Sequence, residues 1–214
     1  MKRRNQICGL LLFLVITPGE SAWDLRKTAN NISIYTRNAL TSDFKEIKCS
    51  TKVKSSLTSA VMVLIDIEHY PDWIYNCIEA TVIKKTSESE IYSYQLFDVP
   101  WPSSDRDVIS RMCVRQDSIT KVVTIQSDLV NDLIPEKDGI VRVKEFHSTY
   151  KLTPMPDGWV NIDYEMGTDP GGIVPAWLVN LVIVNAPYST QEKMNDLVQD
   201  ERYKSGHLDF ISDF

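Results

Sequence analysis

Thr168-Asp169-Pro170-Gly171-Gly172-Ile173-Val174-Pro175-Ala176-Trp177-Leu178-Val179-Asn180 is the stretch on which the fold turns. Its Asp-Pro-Gly-Gly start is turn chemistry: proline fixes φ, two glycines admit positive φ, and the chain can reverse sharply. Pro175 then suits the first turn of a helix, where its missing N–H has no partner to lose. Residues 173–184 are apolar apart from Asn180, a run far shorter than the ~20 residues that span a bilayer. The reading is a buried helix. Trp177, Leu181, Val184 and Tyr188 fall on one face of it, and Leu178, Val179, Val182 and Ile183 leave little of the rest polar. Such a helix needs apolar partners nearly all round. Past Pro187 the pattern becomes one-sided, with Met194, Leu197 and Val198 set among Gln191, Glu192, Lys193, Asp196 and Glu201, so that half can face water.

Working outward, the segment before this helix reads as strand after strand. Residues 81–83, 91–97, 108–114, 122–126, 140–143, 147–152 and 159–166 carry period-two or β-rich patterns, separated by turn residues such as Pro154-Met155-Pro156-Asp157-Gly158. Earlier, residues 22–30 read as a short helix opening on Trp23, and residues 32–35 and 44–49 as a strand hairpin. Ser55-Ser56-Leu57-Thr58 supplies caps for a helix over residues 60–67, which Tyr70-Pro71-Asp72-Trp73 ends. The order predicts an α+β fold: a large antiparallel sheet with one long apolar helix to cover it. A sheet wrapped round a single helix leaves room between them, and that room is where a ligand would sit. Residues 128–138 form a loop long enough to cover something.

The 214 residues, 43% hydrophobic and 24% charged, describe one globular domain with a full core. A formal net charge of −6 provides no basic footprint, which sets nucleic acid aside as a partner. The first residues read as an export signal: Lys2-Arg3-Arg4, an apolar stretch over 7–16, the breakers Thr17-Pro18-Gly19, then Ser21-Ala22. Cleavage after Ser21 places Gly19 and Ser21 at the two positions that demand small residues, giving a leader over 1–21 and a single mature domain over 22–214. The expected location is periplasmic or secreted. Losing Lys2, Arg3, Arg4 and Glu20 lowers the net charge by two, to −8.

Three cysteines then remain, Cys49, Cys77 and Cys113, a poor number for a disulfide framework and read as small apolar core residues. His69, His147 and His207 are scattered and no Cys-x-x-Cys occurs, so neither a metal nor another cofactor is expected. Asp98, Asp105, Asp107 and Asp169 are carboxylates in turn contexts, and no serine sits in a nucleophile elbow. No catalytic residue is assigned, and the chain is read as a non-enzyme.

At Val99-Pro100-Trp101-Pro102-Ser103-Ser104-Asp105-Arg106-Asp107, Gly139-Ile140-Val141-Arg142-Val143 and residues 169–180, the chain resembles a START (steroidogenic acute regulatory protein-related lipid transfer) domain. The blocks follow the family's order and spacing, the resemblance covers residues 22–200, and within the family it is most similar to the phosphatidylcholine-transfer branch. What this implies is a helix-grip fold: a curved antiparallel sheet gripping a C-terminal helix around an apolar tunnel for one lipid. Sterol-carrying relatives place an acidic residue and an arginine within the tunnel. An ungapped comparison puts Tyr94 and Met112 there, with Arg111 on the opposite strand face, so the resemblance does not extend to that ion pair.

Alternation from those two positions gives candidate tunnel walls: Tyr92, Tyr94 and Leu96; Val108, Ser110, Met112 and Val114; and Val160, Ile162, Tyr164 and Met166. From the helix, Trp177, Leu181 and Val184 join them, and Asn180 either meets a headgroup or caps a backbone group. Trp101, between two prolines, either enters a lipid interface, closes the entrance or plugs the sheet edge. Arg106, between Asp105 and Asp107, either holds a phosphate or forms a loop ion pair. The Trp101 loop, residues 128–138 and the Pro187 region are the expected gate. The expected function is a monomeric carrier that takes one hydrophobic, phospholipid-like molecule and touches membranes transiently. The alternative is a helix-grip enzyme of cyclase or aromatase type, with acid and base residues inside the same tunnel.

Overall fold

The described residues form ten strands and four α-helices, laid out in the order the sequence predicts except for an exchange at the start and two short added helices. The computed structural model describes residues 22–39, 44–174 and 176–213, without the side chains of residues 176, 177, 180 and 181. The leader over residues 1–21 lies outside the described residues. Residues 22–30 are not a helix: strand β1 (Asp24–Ala29) turns back on β2 (Ile32–Asn38) through Asn30 and Asn31, at φ 50° and 61°. Two successive positive-φ residues are what a tight hairpin turn of this hand demands, and asparagine tolerates them. β1 is an edge strand whose side chains are mostly exposed, so it never needed alternating apolar residues.

β3 (Lys45–Lys54) completes the predicted hairpin by pairing with β2, Cys49 opposite Ile34. Helix α1 (Leu57–Ile65) follows, its Ser56 cap accepting from the Ser59 N–H at 3.0 Å. It closes at Asp66, and Tyr70-Pro71-Asp72-Trp73 forms a helical turn of its own, α2 (Tyr70–Trp73), with proline where the free N–H is not required. Then come β4 (Cys77–Ser87), β5 (Glu90–Phe97), β6 (Arg106–Gln116), β7 (Val123–Leu129), β8 (Val141–Arg142), β9 (Glu145–Met155) and β10 (Trp159–Asp169). Helices α3 (Ala176–Leu197) and α4 (Glu201–Lys204) finish the chain.

The sheet runs β1-β2-β3-β10-β9-β7-β6-β5-β4, and every neighbouring pair is antiparallel; β8 lies beside the start of β6, parallel to it. Helix α3 rests on β2 and β3, where Ile183, Val184 and Tyr188 pack on Ile32, Ile34, Ile47 and Cys49. A second core joins α1, α2 and the end of α3 to the sheet through Leu64, Trp73, Ile125, Ile162, Met194 and Val198. Burying a side chain of this size contributes about 1.5–3 kcal/mol, so these two clusters fix the middle and the C-terminal end of the helix.

A third cluster, Tyr94, Leu96 and Ile109, is covered by Val130, Leu133, Ile134 and Ile140. It lies on the sheet face turned away from α3, because Ile109 alternates with Val108 and Ser110 along β6. The loop expected to gate the tunnel therefore clothes the outside of the sheet. Arg142 holds it there, donating to the Ile134 and Pro135 carbonyls at 3.3 and 3.4 Å while its Nε and Nη2 grip the Asp107 carboxylate.

Candidate functional site: an apolar cavity between helix and sheet

Between α3 and the sheet runs a cavity of about 370 Å3. Its helical wall is a stripe of Leu178, Val179, Val182, Ile183, Ala186 and Pro187, continuing to Thr190 and Gln191. Those positions recur at one and four residues, the spacing of a single helix face. The stripe is offset from the face singled out in the sequence. Val184 packs on the β2–β3 cluster instead of lining the cavity, and the side chains of Trp177, Asn180 and Leu181 lie outside those described.

The sheet wall comes from alternating residues of β5, β6, β7, β9 and β10. Val108, Ser110 and Met112 line it from β6, as the alternation predicts, and Arg106 joins them from the start of the strand, while Val114 is further along in the core. On β10, Tyr164 and Met166 line it, whereas Ile162 and Val160 belong to the core. The β5 expectation is corrected. Gln95 stands opposite Val108 and Ser93 opposite Ser110, and residues paired this way put their side chains on the same face. Gln95 and Phe97 therefore line the cavity, and Tyr92, Tyr94 and Leu96 point to the outer face. On β5 the lining is thus shifted by one residue from the expected set, which in a strand reverses every side chain.

The interior is greasy, with a few neutral polar groups that largely pair with one another; Trp73 Nε1 is buried with no partner among the described residues. Tyr150 and Tyr164 stack with centroids 4.2 Å apart, and Tyr70 meets Trp73 edge-on at 5.4 Å. Tyr70 donates to the Leu64 carbonyl at 2.6 Å, and burial pushes the Tyr70, Tyr150 and Tyr164 phenols upward, so all three stay neutral. On the β5–β6 wall, Gln95 Nε2 donates to Ser93 Oγ at 3.0 Å and to Ser110 Oγ at 3.4 Å. Ser127 and Ser148 face each other across β7 and β9 on the same lining. Cys49 and Cys77 are buried free thiols outside this lining, each pushed up to about 12 chiefly by burial.

Charge enters the lining at three described residues, and two of them, Lys45 and Asp98, are exposed. The third is Arg106, only 5% exposed. Its guanidinium donates to the carbonyls of Ser104 and Gly171, the latter at 3.3 Å, and its Nε has no partner among the described residues. Burial draws this group below its ordinary range, and Asp105 opposes that through space. The neighbouring acid Asp107 pairs with Arg142 instead. The Gly171–Gly172 turn that receives Arg106 holds φ at 67° and 62°; a Cβ on Gly171 would sit 3.2 Å from the Arg142 carbonyl. Gly171 is favoured by both conformation and space, Gly172 by conformation.

Trp101 is 88% exposed and Ile173 91% exposed. Each adjoins a lining residue, Pro100 and Val174 respectively. Trp101 thus does not plug the sheet edge. Among the described residues, no group of three or more His, Cys, Asp or Glu is fit for a metal ion, and no helix is long and apolar enough to cross a membrane.

Residues 11–201 match the START domain family. The chain belongs to the START family. This START domain is 28% identical over 169 residues to an uncharacterized protein of Pseudomonas aeruginosa, covering 78% of this chain and 82% of that one. It is 23% identical over 187 residues to the phosphatidylcholine transfer protein of Rattus norvegicus, 86% of each chain. Among solved structures it superposes on a STAR-related lipid transfer protein from Xanthomonas axonopodis with a TM-score of 0.76 at 28% identity, covering 83% of this chain and 99% of that one. Human STARD10 matches the fold with a TM-score of 0.72 at 23% identity, over 84% of this chain and 74% of that one. The helix-grip architecture is thus the family's own.

Proposed function

We propose that this START domain binds one hydrophobic, phospholipid-like molecule in the cavity under α3 and carries or presents it between membrane surfaces. The observation that carries the reading is the cavity itself, about 370 Å3 with walls built mainly from apolar side chains. If dry and empty, that volume would cost about 9 kcal/mol at ~24 cal/mol per Å3, comparable with the whole stability of a domain. A two-chain lipid with about 30 methylenes at ~0.8 kcal/mol each faces on the order of 25 kcal/mol against leaving a bilayer through water. An apolar cavity that substitutes for the bilayer removes most of that cost. The names of two relatives, one a phosphatidylcholine transfer protein and one a STAR-related lipid transfer protein, are in keeping with this reading.

Entry requires an opening, and we assign it to the Trp101 loop together with the first half of α3. The described side-chain hydrogen bonds of α3 come from Tyr188 onward, including Thr190 with the Tyr75 N–H at 3.0 Å and Asn195 with Thr51 at 3.1 Å. Pro187 also deprives the Ile183 carbonyl of its helical donor. The domain acts as a monomer, without a cofactor, on membranes it touches transiently. It works outside the cytoplasm after removal of residues 1–21; N-terminal sequencing of the exported form is expected to begin at Ala22.

The carrier reading is favoured over a cyclase because the described lining holds no histidine, cysteine or glutamate, and its one aspartate, Asp98, is exposed. Acid–base chemistry on a bound substrate needs a proton donor and acceptor within reach of it. Transfer of fluorescent phosphatidylcholine from donor to acceptor vesicles, with the protein in substoichiometric amount, tests the proposal. Catalysed transfer supports it, and transfer no faster than without protein refutes it.

A further inference from the structure

We infer that Arg106 is the counter-ion for an anionic headgroup, so that the cavity selects an apolar molecule bearing a phosphate or carboxylate over one with the same chains and no charge. This rests on the carrier reading and names the chemistry of its ligand. Arg37, Arg111 and Arg142 are paired with Glu46, Glu90 and Asp107 at 2.6 to 3.0 Å, and Arg26, Arg115 and Arg202 are exposed. Among the described arginines, Arg106 alone is buried with no described carboxylate within ion-pair distance.

A buried cation is costly unless something negative meets it. The carbonyls of Ser104 and Gly171 take two of its donors and fix the plane of the guanidinium. Nε is left buried and unpartnered, and the residue lines the cavity. An unpartnered arginine donor held in a fixed plane suits a planar carboxylate or a phosphate, which accept in the geometry the guanidinium offers. The neighbouring polar groups do not compete, because Gln95, Ser93 and Ser110 hydrogen-bond among themselves. Asp98 is exposed at the rim, and Asp105 Oδ1 is engaged by the Val99 N–H at 3.1 Å.

The experiment loads the mature protein, stripped of lipid, with dioleoylphosphatidylcholine, oleate or dioleoylglycerol, and measures the bound amount by extraction and mass spectrometry. Wild-type protein is expected to prefer one or both of the phosphate- and carboxylate-bearing probes to dioleoylglycerol by about tenfold or more, the scale of a charge-assisted hydrogen bond lost. Preference for phosphatidylcholine alone assigns the site to lipid phosphate, and preference for oleate alone to a carboxylate. Arg106→Gln is expected to abolish the preference over dioleoylglycerol, and Arg106→Lys to retain part of it. Should Arg106→Gln fail to fold, the wild-type preference and the Arg106→Lys result decide the matter. Dioleoylglycerol bound as well as the phosphate- and carboxylate-bearing probes overturns the counter-ion role and leaves the carrier reading standing; no loading by any probe overturns both. Displacement of oleate or phospholipid by millimolar inorganic phosphate also overturns the inference, by showing a site for the free ion.

Discussion

Arg142 grips the Asp107 carboxylate at two points, Nε to Oδ1 at 2.6 Å and Nη2 to Oδ2 at 3.0 Å. The pair joins β8 to β6 on the outer face of the sheet and holds the loop that covers Tyr94, Leu96 and Ile109. Asp107 is 1% exposed, so its replacement by asparagine leaves Arg142 without its counter-charge. Breaking a buried pair from one side costs about 3–5 kcal/mol. Asp107→Asn is expected to lower the denaturant midpoint accordingly without changing the slope. An unchanged midpoint would mean that solvent already screens the pair.

The phase of β5 makes a sharper forecast for ligand binding. Tyr94→Phe alters only the outer face and is expected to leave the amount of bound lipid unchanged. Ala186→Phe places a ring in the helical wall of the cavity and is expected to reduce bound lipid severalfold while the protein stays folded. Equal lipid content in the two variants, measured by extraction and mass spectrometry, argues that the cavity described is not the binding site.

Glu90 provides a pH test. Hydrogen bonds from Arg111 and then Thr86 hold its carboxyl down to about 2 against an ordinary 4.5. A carboxyl depressed by folding stabilises the native state in full above its unfolded value, and that contribution fades as pH falls from about 4.5 and is gone below about 2. Wild-type protein is therefore expected to lose stability faster than Glu90→Gln as pH drops through that window, the two converging near its lower end. Urea midpoints at pH 6, 4 and 3 check this. Parallel curves would show that the Arg111 contact does not persist in solution.

Trp101 and Ile173 are exposed beside lining residues, on the Trp101 loop and at the approach to α3. Burial of a large apolar side chain contributes about 1.5–3 kcal/mol, so losing both from a membrane contact is expected to slow vesicle-to-vesicle transfer by at least about tenfold. Trp101→Ala with Ile173→Ser should do this while leaving the lipid content of the purified protein intact. Transfer at the wild-type rate removes these two side chains from the membrane contact.

The sheet-and-helix plan was legible because its signals are local. The Asp-Pro-Gly-Gly turn, the apolar run that follows it and the alternating strands each carry their own chemistry. What was illegible depended on partners distant in sequence. The segment Asp24–Ala29 lacks alternation because an edge strand buries little, and only the Asn30-Asn31 pair betrayed the hairpin. Along β5 both sets of alternate residues contain apolar side chains, Leu96 on one and Ile91 and Phe97 on the other. Apolarity could not choose the cavity face, since a loop buries the outer face too. The same ambiguity affected α3, apolar on most sides, where the cavity stripe and the β2–β3 contact lie on adjacent faces. Arg106 was visible as a candidate, but its lack of a carboxylate partner became apparent only once Asp107 was seen to belong to Arg142.

Native mass spectrometry of freshly purified mature protein bears most directly on whether the space under α3 is a lipid site. The account predicts a folded population heavier than the bare chain by the mass of one apolar molecule, released on unfolding and identifiable by extraction. A stable, folded population at bare chain mass, with nothing extractable, would contradict it.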